Sequence, residues 1–174
     1  MKDIISTDFD GVYLIKKKIF KDNRGFFFEL FNKKKFSKYF KKNFVQDNIS
    51  FSKKGTLRGL HFQLQNKQAK LITVIRGSIF DVVVDLKKKN KKTWLGFNLD
   101  ENSPYSLLVP SNYAHGFLAK KNSIIHYKVS SYYMPSSEIS ILWNDKNLAI
   151  EWPLSNLKPI ISIKDKKGIS FDKI

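Results

Sequence analysis

Short segments rich in β-branched and aromatic residues follow one another closely along this chain, with turn residues between them. The segments LITVIR (71–76) and IFDVVVDL (79–86) flank Gly77 and predict a hairpin. The one strong helical signal covers roughly 33–41, where aromatic residues recur at spacings of three and four. Because the connections are too short for crossover helices, the strands should form an antiparallel sandwich or barrel. Further strands are predicted at 94–99, 106–109, 117–119, 124–131 and 139–143.

A chain of 174 residues is long enough for one domain with a hydrophobic core but short for two, and no linker or repeat divides it. We therefore predict an all-β fold, a single antiparallel jelly roll of the cupin type over 1–174 with a few short helices. No apolar run is long enough to span a bilayer, and the chain has no cysteine. The N-terminus shows no export signal, so we expect a cytoplasmic protein.

The formal net charge of +17 would suit a nucleic-acid binder, because neutralising phosphates releases counterions. However, only three of the 32 basic residues are arginine, and the lysines are spread in short groups between apolar segments. This distribution indicates a bias in residue usage toward lysine, and we expect neither a nucleic-acid partner nor a membrane. The positive field would still steer an anionic small molecule. A nucleic-acid binder would instead show steeply salt-dependent retention of DNA.

Strand parity sorts the side chains of two segments into faces, since successive residues of a strand point oppositely. Tyr127 shares a face with the apolar Ile125 and Val129, so it should point inward, whereas His126 should face solvent. Lys70 falls on the apolar face of its own segment. A lysine in such a place either extends its ammonium group to solvent or has a functional role.

Two of the three histidines are candidate functional residues: His61 in TLRGLHFQ (56–63) and His115 in PSNYAHGF (110–117). Taken singly, each is more often a hydrogen-bonded structural residue than a catalyst. A zinc site needs clustered ligands. Cupin metal sites typically use a His-x-His pair, which the sequence lacks. We therefore expect no metal and no other cofactor.

Seven blocks of the sequence, in order, resemble the dTDP-4-dehydrorhamnose 3,5-epimerase family. The resemblance runs from about residue 10 to residue 168, which is nearly the whole chain. The blocks are KDNRGFFFELF (21–31), VQDNISFSKKGTLRGLHFQ (45–63), QAKLITVIRGSIFDVVVDL (68–86), VPSNYAHGF (109–117), HYKVSSYYMP (126–135), WNDKNLAIEWP (143–153) and SIKD (162–165).

The resemblance implies a proton-transfer reaction on a 4-keto-6-deoxy sugar carried by dTDP. Carbons beside a ketone lose protons because the anion delocalises onto oxygen, so the enzyme needs a base, a proton donor and a positive charge at that oxygen. By resemblance, His61 is the base, Asp165 orients it and Tyr127 donates a proton from the opposite side. Lys70 would stabilise the enolate oxygen. Parity independently places Lys70 and Tyr127 on inward faces.

The resemblance also implies a substrate-binding set and a homodimer. An N-terminal arm of about residues 1–30 would be exchanged with the partner subunit, bringing aromatic contact for thymine and charge for phosphate. The arm residues are Phe20, Arg24, Phe27 and Glu29. The residues that would bind the substrate from the same subunit are Gln46, Asn48, Arg58, His115, Tyr133 and Lys164.

One assignment conflicts with strict alternation. Arg58 and His61 are three residues apart and should point to opposite faces of a strand, although both are assigned to one site. Gly59 lies between them and would correct the phase if it marks a β-bulge.

Several related activities remain as alternatives. A 3-only epimerase needs the same base and differs in how the sugar reaches Tyr127. Sugar-nucleotide 3,4-ketoisomerases are disfavoured, because Phe62 and Gln63 stand where a second histidine would be expected. Nucleotide-heptose epimerases are another possibility. From a different class, a carbohydrate-binding cupin would need no acid–base set, and it would not exchange solvent deuterium into a sugar.

Overall fold

The structure is a computed structural model that describes residues 3–87 and 93–174. Within these residues the chain forms strands joined almost everywhere by short turns, and every pairing between the strands is antiparallel. The strands are β1 (Ile4–Ser6), β2 (Tyr13–Lys16), β3 (Ile19–Asp22), β4 (Gly25–Phe28), β5 (Gln46–Ser52), β6 (Leu57–Gln63), β7 (Lys70–Arg76), β8 (Ser78–Asp85), β9 (Trp94–Asp100), β10 (Tyr105–Val109), β11 (Tyr113–Ala119), β12 (Ser123–Val129) and β13 (Glu138–Ser140). The helices are α1 (Lys33–Phe36) and α2 (Ile163–Lys166), with short 3-10 turns at Pro135–Ser137 and Phe171–Lys173.

Two sheets pack face to face around the main core. One has the order β1-β2-β10-β7-β12-β5 and the other β13-β6-β11-β8-β9. Between them lie buried apolar side chains such as Ile72, Val74 and Ile125 from the first sheet and Val83 and Phe117 from the second. This architecture confirms the prediction of an all-β cupin-type jelly roll with few and short helices.

The outer faces of both sheets are also covered. The segment 31–44, with four phenylalanines, packs on the outer face of the six-stranded sheet against Leu71 and Leu108. The C-terminal part of the chain returns over the five-stranded sheet, where Leu148 and Phe171 join its core. This return also brings α2 into contact with β6, which positions the candidate site.

The predicted hairpin at Gly77 is wrong. Strand β7 pairs with β10 and β12, whereas β8 pairs with β9 and β11 in the other sheet. Gly77 has φ +86°, and a Cβ there would lie 2.3 Å from the carbonyl oxygen of Asn122. The glycine therefore allows a close approach at a corner where the chain passes from one sheet to the other, not a turn between paired strands.

The predicted helix over 33–41 is too long. It begins at Lys33, where the side chain of Asn32 caps it, but it ends at Phe36. The aromatic spacing that suggested a longer helix reflects packing on the outer face of the sheet, where Phe36 and Phe40 lie beside Phe44. The predicted strands exist with shifted ends. Among the described residues, no helix is long and apolar enough to cross a membrane.

The prediction that His126 faces solvent is also wrong. Its side chain alternates away from the cavity that Tyr127 lines, as parity requires, but only 8% of the residue is exposed. The ring nitrogen Nε2 lies 2.8 Å from Asp47 Oδ1, and Asp47 also accepts hydrogen bonds from Lys128. Parity predicts only the face of the sheet on which a side chain lies. On this outer face, neighbouring side chains such as Asp47 cover His126.

Candidate active site

A cavity of about 790 Å³ opens between the two sheets. Its walls come from β5, β6, β7, β11 and β12, and the returning C-terminal segment closes one side. All ten residues that the sequence predicts for the pocket of a single subunit line it: Gln46, Asn48, Arg58, His61, Lys70, His115, Tyr127, Tyr133, Lys164 and Asp165. The structure thus brings together side chains that are as much as 119 positions apart in sequence (46 to 165).

A histidine–carboxylate pair stands at the closed side of the cavity. His61 Nε2 on β6 lies 2.5 Å from Asp165 Oδ1 on α2. The backbone N–H of Asp165 donates to Ser162 Oγ, so the helix cap fixes the carboxylate. Burial alone would raise the pKa of Asp165, but the hydrogen bonds and charge it receives, chiefly from His61, hold that pKa below its usual value. Asp165 is therefore an ionised partner for the imidazole at neutral pH.

A bulge at Gly59 resolves the phase conflict between Arg58 and His61. In the ladder with β11, Arg58 pairs with Phe117 and His61 with His115, so β6 has one extra residue in this interval. Gly59 has φ +116°, and a Cβ there would lie 2.5 Å from the Cα of the facing strand. Both side chains consequently line the same cavity, as the sequence hypothesis of a bulge required.

Lys70 and Tyr127 reach the cavity from neighbouring strands of the six-stranded sheet. Burial lowers the pKa of the Lys70 ammonium to about 8, although the negative charge of Asp81 opposes this shift. Burial raises the pKa of the Tyr127 phenol, with a smaller opposing effect from the charge of Arg58. Tyr127 is therefore protonated at neutral pH and available as a proton donor.

A second imidazole–carboxylate pair lies deeper in the molecule. His115 Nε2 on β11 is 2.8 Å from Asp81 Oδ2 on β8, and both residues are buried. Burial lowers the pKa of His115, and the charges of Lys70 and His61 lower it further, while Asp81 acts in the opposite direction. Sequence reasoning missed Asp81, because an aspartate within the apolar strand IFDVVVDL gives no sign of the residue it faces.

The cavity wall is predominantly cationic. Among the described residues that line it, Lys53, Arg58, Lys70 and Lys164 oppose two carboxylates, those of Glu138 and Asp165. Such a wall attracts an anionic ligand.

The guanidinium of Arg58 is held in place from one side. Its Nε donates to Ser52 Oγ at 3.0 Å, and Nη2 donates to the carbonyl oxygen of Phe51 at 3.1 Å. The remaining N–H groups stay available for an anion such as a phosphate.

Glu138 is a further lining residue that the sequence did not single out. Its Oε2 accepts hydrogen bonds from Lys164 Nζ and from the Tyr133 hydroxyl, the latter at 3.0 Å. Glu138 therefore ties together two predicted binding residues that come from different segments. The sequence pattern around Glu138 was a weak predictor, because the strand β13 that carries it has only 3 residues and lies at the edge of its sheet.

The four predicted arm residues lie outside this cavity. Phe20, Arg24 and Phe27 belong to the hairpin β3–β4, which forms its own two-stranded sheet, and Glu29 follows it and pairs with Lys35. The rings of the hairpin are open to solvent, and 66% of Phe27 is exposed. Within one chain, the hairpin therefore supplies nothing to the cavity.

The cavity holds groups able to take a proton, stabilise the anion that results and return a proton, and it lies inside a cupin-type jelly roll. The molecule therefore falls in the class of cupin-type proteins equipped for proton transfer. Within the described residues, no group of three or more His, Cys, Asp or Glu side chains is placed to hold a metal ion.

Comparison with known proteins narrows this class. The family model described as dTDP-4-dehydrorhamnose 3,5-epimerase matches residues 6–173. The dTDP-4-dehydrorhamnose 3,5-epimerase of Salmonella typhimurium is 45% identical over 179 residues, covering 99% of this chain and 97% of that protein. The chain therefore belongs to the dTDP-4-dehydrorhamnose 3,5-epimerase family, which confirms the resemblance seen in the sequence, and it is an isomerase.

Solved structures agree in fold over nearly the whole length. The dTDP-6-deoxy-D-glucose-3,5-epimerase of Legionella pneumophila, in complex with dTDP-4-keto-L-rhamnose, is 40% identical, with a TM-score of 0.93 over 98% of this chain and 93% of that one. A 3'-monoepimerase from Streptomyces bikiniensis, in complex with dTDP-quinovose, is 27% identical, with a TM-score of 0.85 over 93% and 84% of the two chains.

Proposed function

We propose that this protein inverts carbons 3 and 5 of a dTDP-4-keto-6-deoxyhexose, as a step of dTDP-L-rhamnose-type deoxysugar biosynthesis. The observation that carries the proposal is the meeting of His61, Lys70, Tyr127 and Asp165 in one cavity. The identity of 45% to a named 3,5-epimerase over nearly the full chain supports the same substrate.

Proton removal falls to His61. Asp165 accepts the hydrogen bond from Nε2–H, which leaves Nδ1 as the unprotonated ring nitrogen. The imidazole takes the proton from carbon 3 or carbon 5, and the electron pair of that C–H bond moves through the new C=C bond onto the ketone oxygen. The ionised Asp165 stabilises the imidazolium that forms.

The enolate and its reprotonation involve Lys70 and Tyr127. The ammonium group of Lys70 stabilises the negative charge on oxygen, and it does so more strongly than in water because burial lowers the dielectric constant around it. Tyr127 then delivers its phenolic proton to the opposite face of the carbon. The carbonyl re-forms, and solvent restores the proton of Tyr127 and removes that of His61, so isotope from the solvent enters the sugar.

The nucleotide diphosphate is held by the cationic wall. Arg58, with two of its N–H groups fixed by Ser52 and Phe51, offers the others to a phosphate. Lys164 and Tyr133, joined through Glu138, lie at the same opening beside the predicted binding residues of β5.

We also propose that the enzyme works as a homodimer in the cytoplasm and that the hairpin β3–β4 completes the site of the partner subunit. Phe26 and Phe27 are each about two-thirds exposed, at 67% and 66%, which is costly for aromatic rings in a lone chain. Contact with a second subunit would remove this cost, and it would bring Arg24 to the nucleotide.

The test is incubation with dTDP-4-keto-6-deoxyglucose in deuterated water, with NMR measurement of label at each carbon. Deuterium at carbons 3 and 5 together with formation of the inverted product is the expected result. Absence of any label would contradict the function and favour a carbohydrate-binding cupin.

A 3-only epimerase is the second candidate, because a 3'-monoepimerase shares this fold. The same spectra separate the two activities. Label and inversion confined to carbon 3 would replace double inversion by this narrower activity.

A further inference from the structure

Asp81 is a fully buried carboxylate next to the cavity. The proposed reaction does not use this residue. It has 0% exposure and lies on β8 between β9 and β11. Its Oδ2 is 2.8 Å from His115 Nε2, whereas its Oδ1 has no hydrogen-bond partner among the described residues. A buried carboxylate with an unsatisfied oxygen is unfavourable for folding, so its presence suggests a role in the site.

The charge of Asp81 affects the pKa of two groups that line the cavity, Lys70 and His115. The negative charge opposes the effect of burial on Lys70, whose pKa is about 8 even with this help. The same carboxylate accepts the hydrogen bond of His115. Burial lowers the pKa of His115, so the imidazole is neutral and does not cancel the carboxylate. Among the described groups that act on Asp81, the Lys70 ammonium therefore carries the positive charge at neutral pH.

Burial also raises the pKa of Asp81, but the charge that His115 carries when protonated, the hydrogen bond from His115 and the charge of Lys70 act in the opposite direction. The titratable groups that interact here are Asp81, Lys70, His115 and His61, which come from four different strands. Asp81 alternates with Ile79 and Val83 of the core, and Lys70 lies on the same face of β7 as Ile72, so both side chains point into the space between the two sheets. Each favours the charged form of the other.

We propose that Asp81 is a positioning residue for the reaction: its charge keeps Lys70 in the ammonium form, and its Oδ2 fixes His115 as the tautomer with hydrogen on Nε2. His115 then presents Nδ1 as an acceptor, which suits a hydroxyl group of the sugar. The inference rests on the proposed function, since Lys70 is taken to stabilise the enolate oxygen.

The test is the pH profile of kcat for Asp81→Asn. Asparagine keeps an acceptor for His115 but removes the charge, so Lys70 loses its proton at lower pH. We expect the alkaline limb of the profile near pH 8 in the wild type, from the pKa of Lys70, and expect it to move down by about one to three pH units in the variant. Tyr127 does not cause this limb, because burial raises its pKa. Binding of dTDP should be unchanged.

The matched control is Asp85→Asn, which neutralises another buried aspartate of the same strand at its far end. It should leave the alkaline limb in place, whatever its effect on stability. If Asp81→Asn does not fold, Asp81→Ser removes the same charge, leaves room for water and should shift the limb in the same direction.

A second measurement needs no substrate. The Lys70 side-chain NMR signal, identified by its loss in Lys70→Met, should titrate near pH 8 in the wild type and lower in Asp81→Asn. An unmoved limb with an unmoved Lys70 midpoint would overturn the proposal, as would an equal loss of kcat at every pH, which marks a purely structural role. Absence of exchange in the wild type would instead refute the proposed function, and the Lys70 midpoint would still test the electrostatic link.

Discussion

His61 depends on a carboxylate 104 positions away in sequence for its tautomer and its orientation. His61→Asn keeps a polar group of similar size next to Asp165 but cannot take a proton. Loss of a general base typically costs about 10²–10⁴-fold in rate, and the exchange of deuterium at both carbons should fall by this order. Calorimetric binding of dTDP should persist and would show that the pocket is intact. Exchange at the wild-type rate would refute the assignment of the base.

Tyr127 acts after the base, so its removal should separate two steps that occur together in the wild type. In Tyr127→Phe the ring still packs between the strands, but the phenolic proton is gone. Deuterium exchange at the carbon attacked by His61 should survive, because the imidazole can return a solvent-derived proton to the same face. Formation of the inverted sugar should fall sharply. Equal loss of exchange and of inversion would show that Tyr127 has no distinct role in reprotonation.

At the scale of the element, the bulge in β6 determines which side chains share the cavity. Gly59→Ala would place a methyl group 2.5 Å from the backbone of β11 at φ +116°, so a loss of about 1–3 kcal/mol in the free energy of unfolding is expected. Activity should fall more than stability, because His61 and His115 flank the clash. Denaturant unfolding and the deuterium assay measure the two effects.

The matched control is Gly55→Ala. Gly55 also has a positive φ, +83°, but no atom lies within 4 Å of the position of its missing Cβ. Its substitution should cost only the backbone strain and should leave the exchange rate unchanged. If both variants lose the same stability and activity, the close contact between β6 and β11 is not what positions the site.

The elements show which features a sequence can predict. Alternation placed Lys70 and Tyr127 toward the cavity, because the direction of a side chain along a strand is a local property. The partner strand of a segment is not local, and for this reason the corner at Gly77 was mistaken for a hairpin. The same limit hid the pairing of Asp81 with His115 and the outer cover of His126.

The candidate site was predictable mainly through resemblance. The blocks that carry His61, Lys70, Tyr127 and Asp165 could be recognised in order along the chain, and the cavity contains all four. Chemical reasoning from each residue alone would not have joined them, since a lone histidine or a lone aspartate in a turn fits a structural role equally well. The roles of these residues stay predictions until the variants are measured.

At the scale of the whole molecule, the cavity of one chain and the hairpin β3–β4 are two parts that do not meet within the subunit. In the lone chain Arg24 pairs with Asp22 of its own hairpin, a solvent-exposed contact that adds little stability. An exchanged hairpin would give Arg24 a phosphate to bind. Arg24→Ala should therefore weaken the binding of dTDP, with Lys21→Ala on the same hairpin as the control for a general loss of charge. Unchanged affinity in Arg24→Ala would contradict the exchanged arm.

The exchanged arm can be tested by mixing two impaired chains. A chain with Arg24→Ala has an intact cavity but a defective hairpin, and a chain with His61→Asn has a defective cavity but an intact hairpin. If hairpins serve the partner subunit, each mixed dimer contains one complete site, because the cavity of the first chain receives the hairpin of the second. After unfolding and refolding together, equal amounts should restore about a quarter of the wild-type sites at low substrate concentration, where Arg24 matters most. If each hairpin serves its own subunit, a mixed dimer contains no complete site, and the mixture shows only the average of the two separate activities.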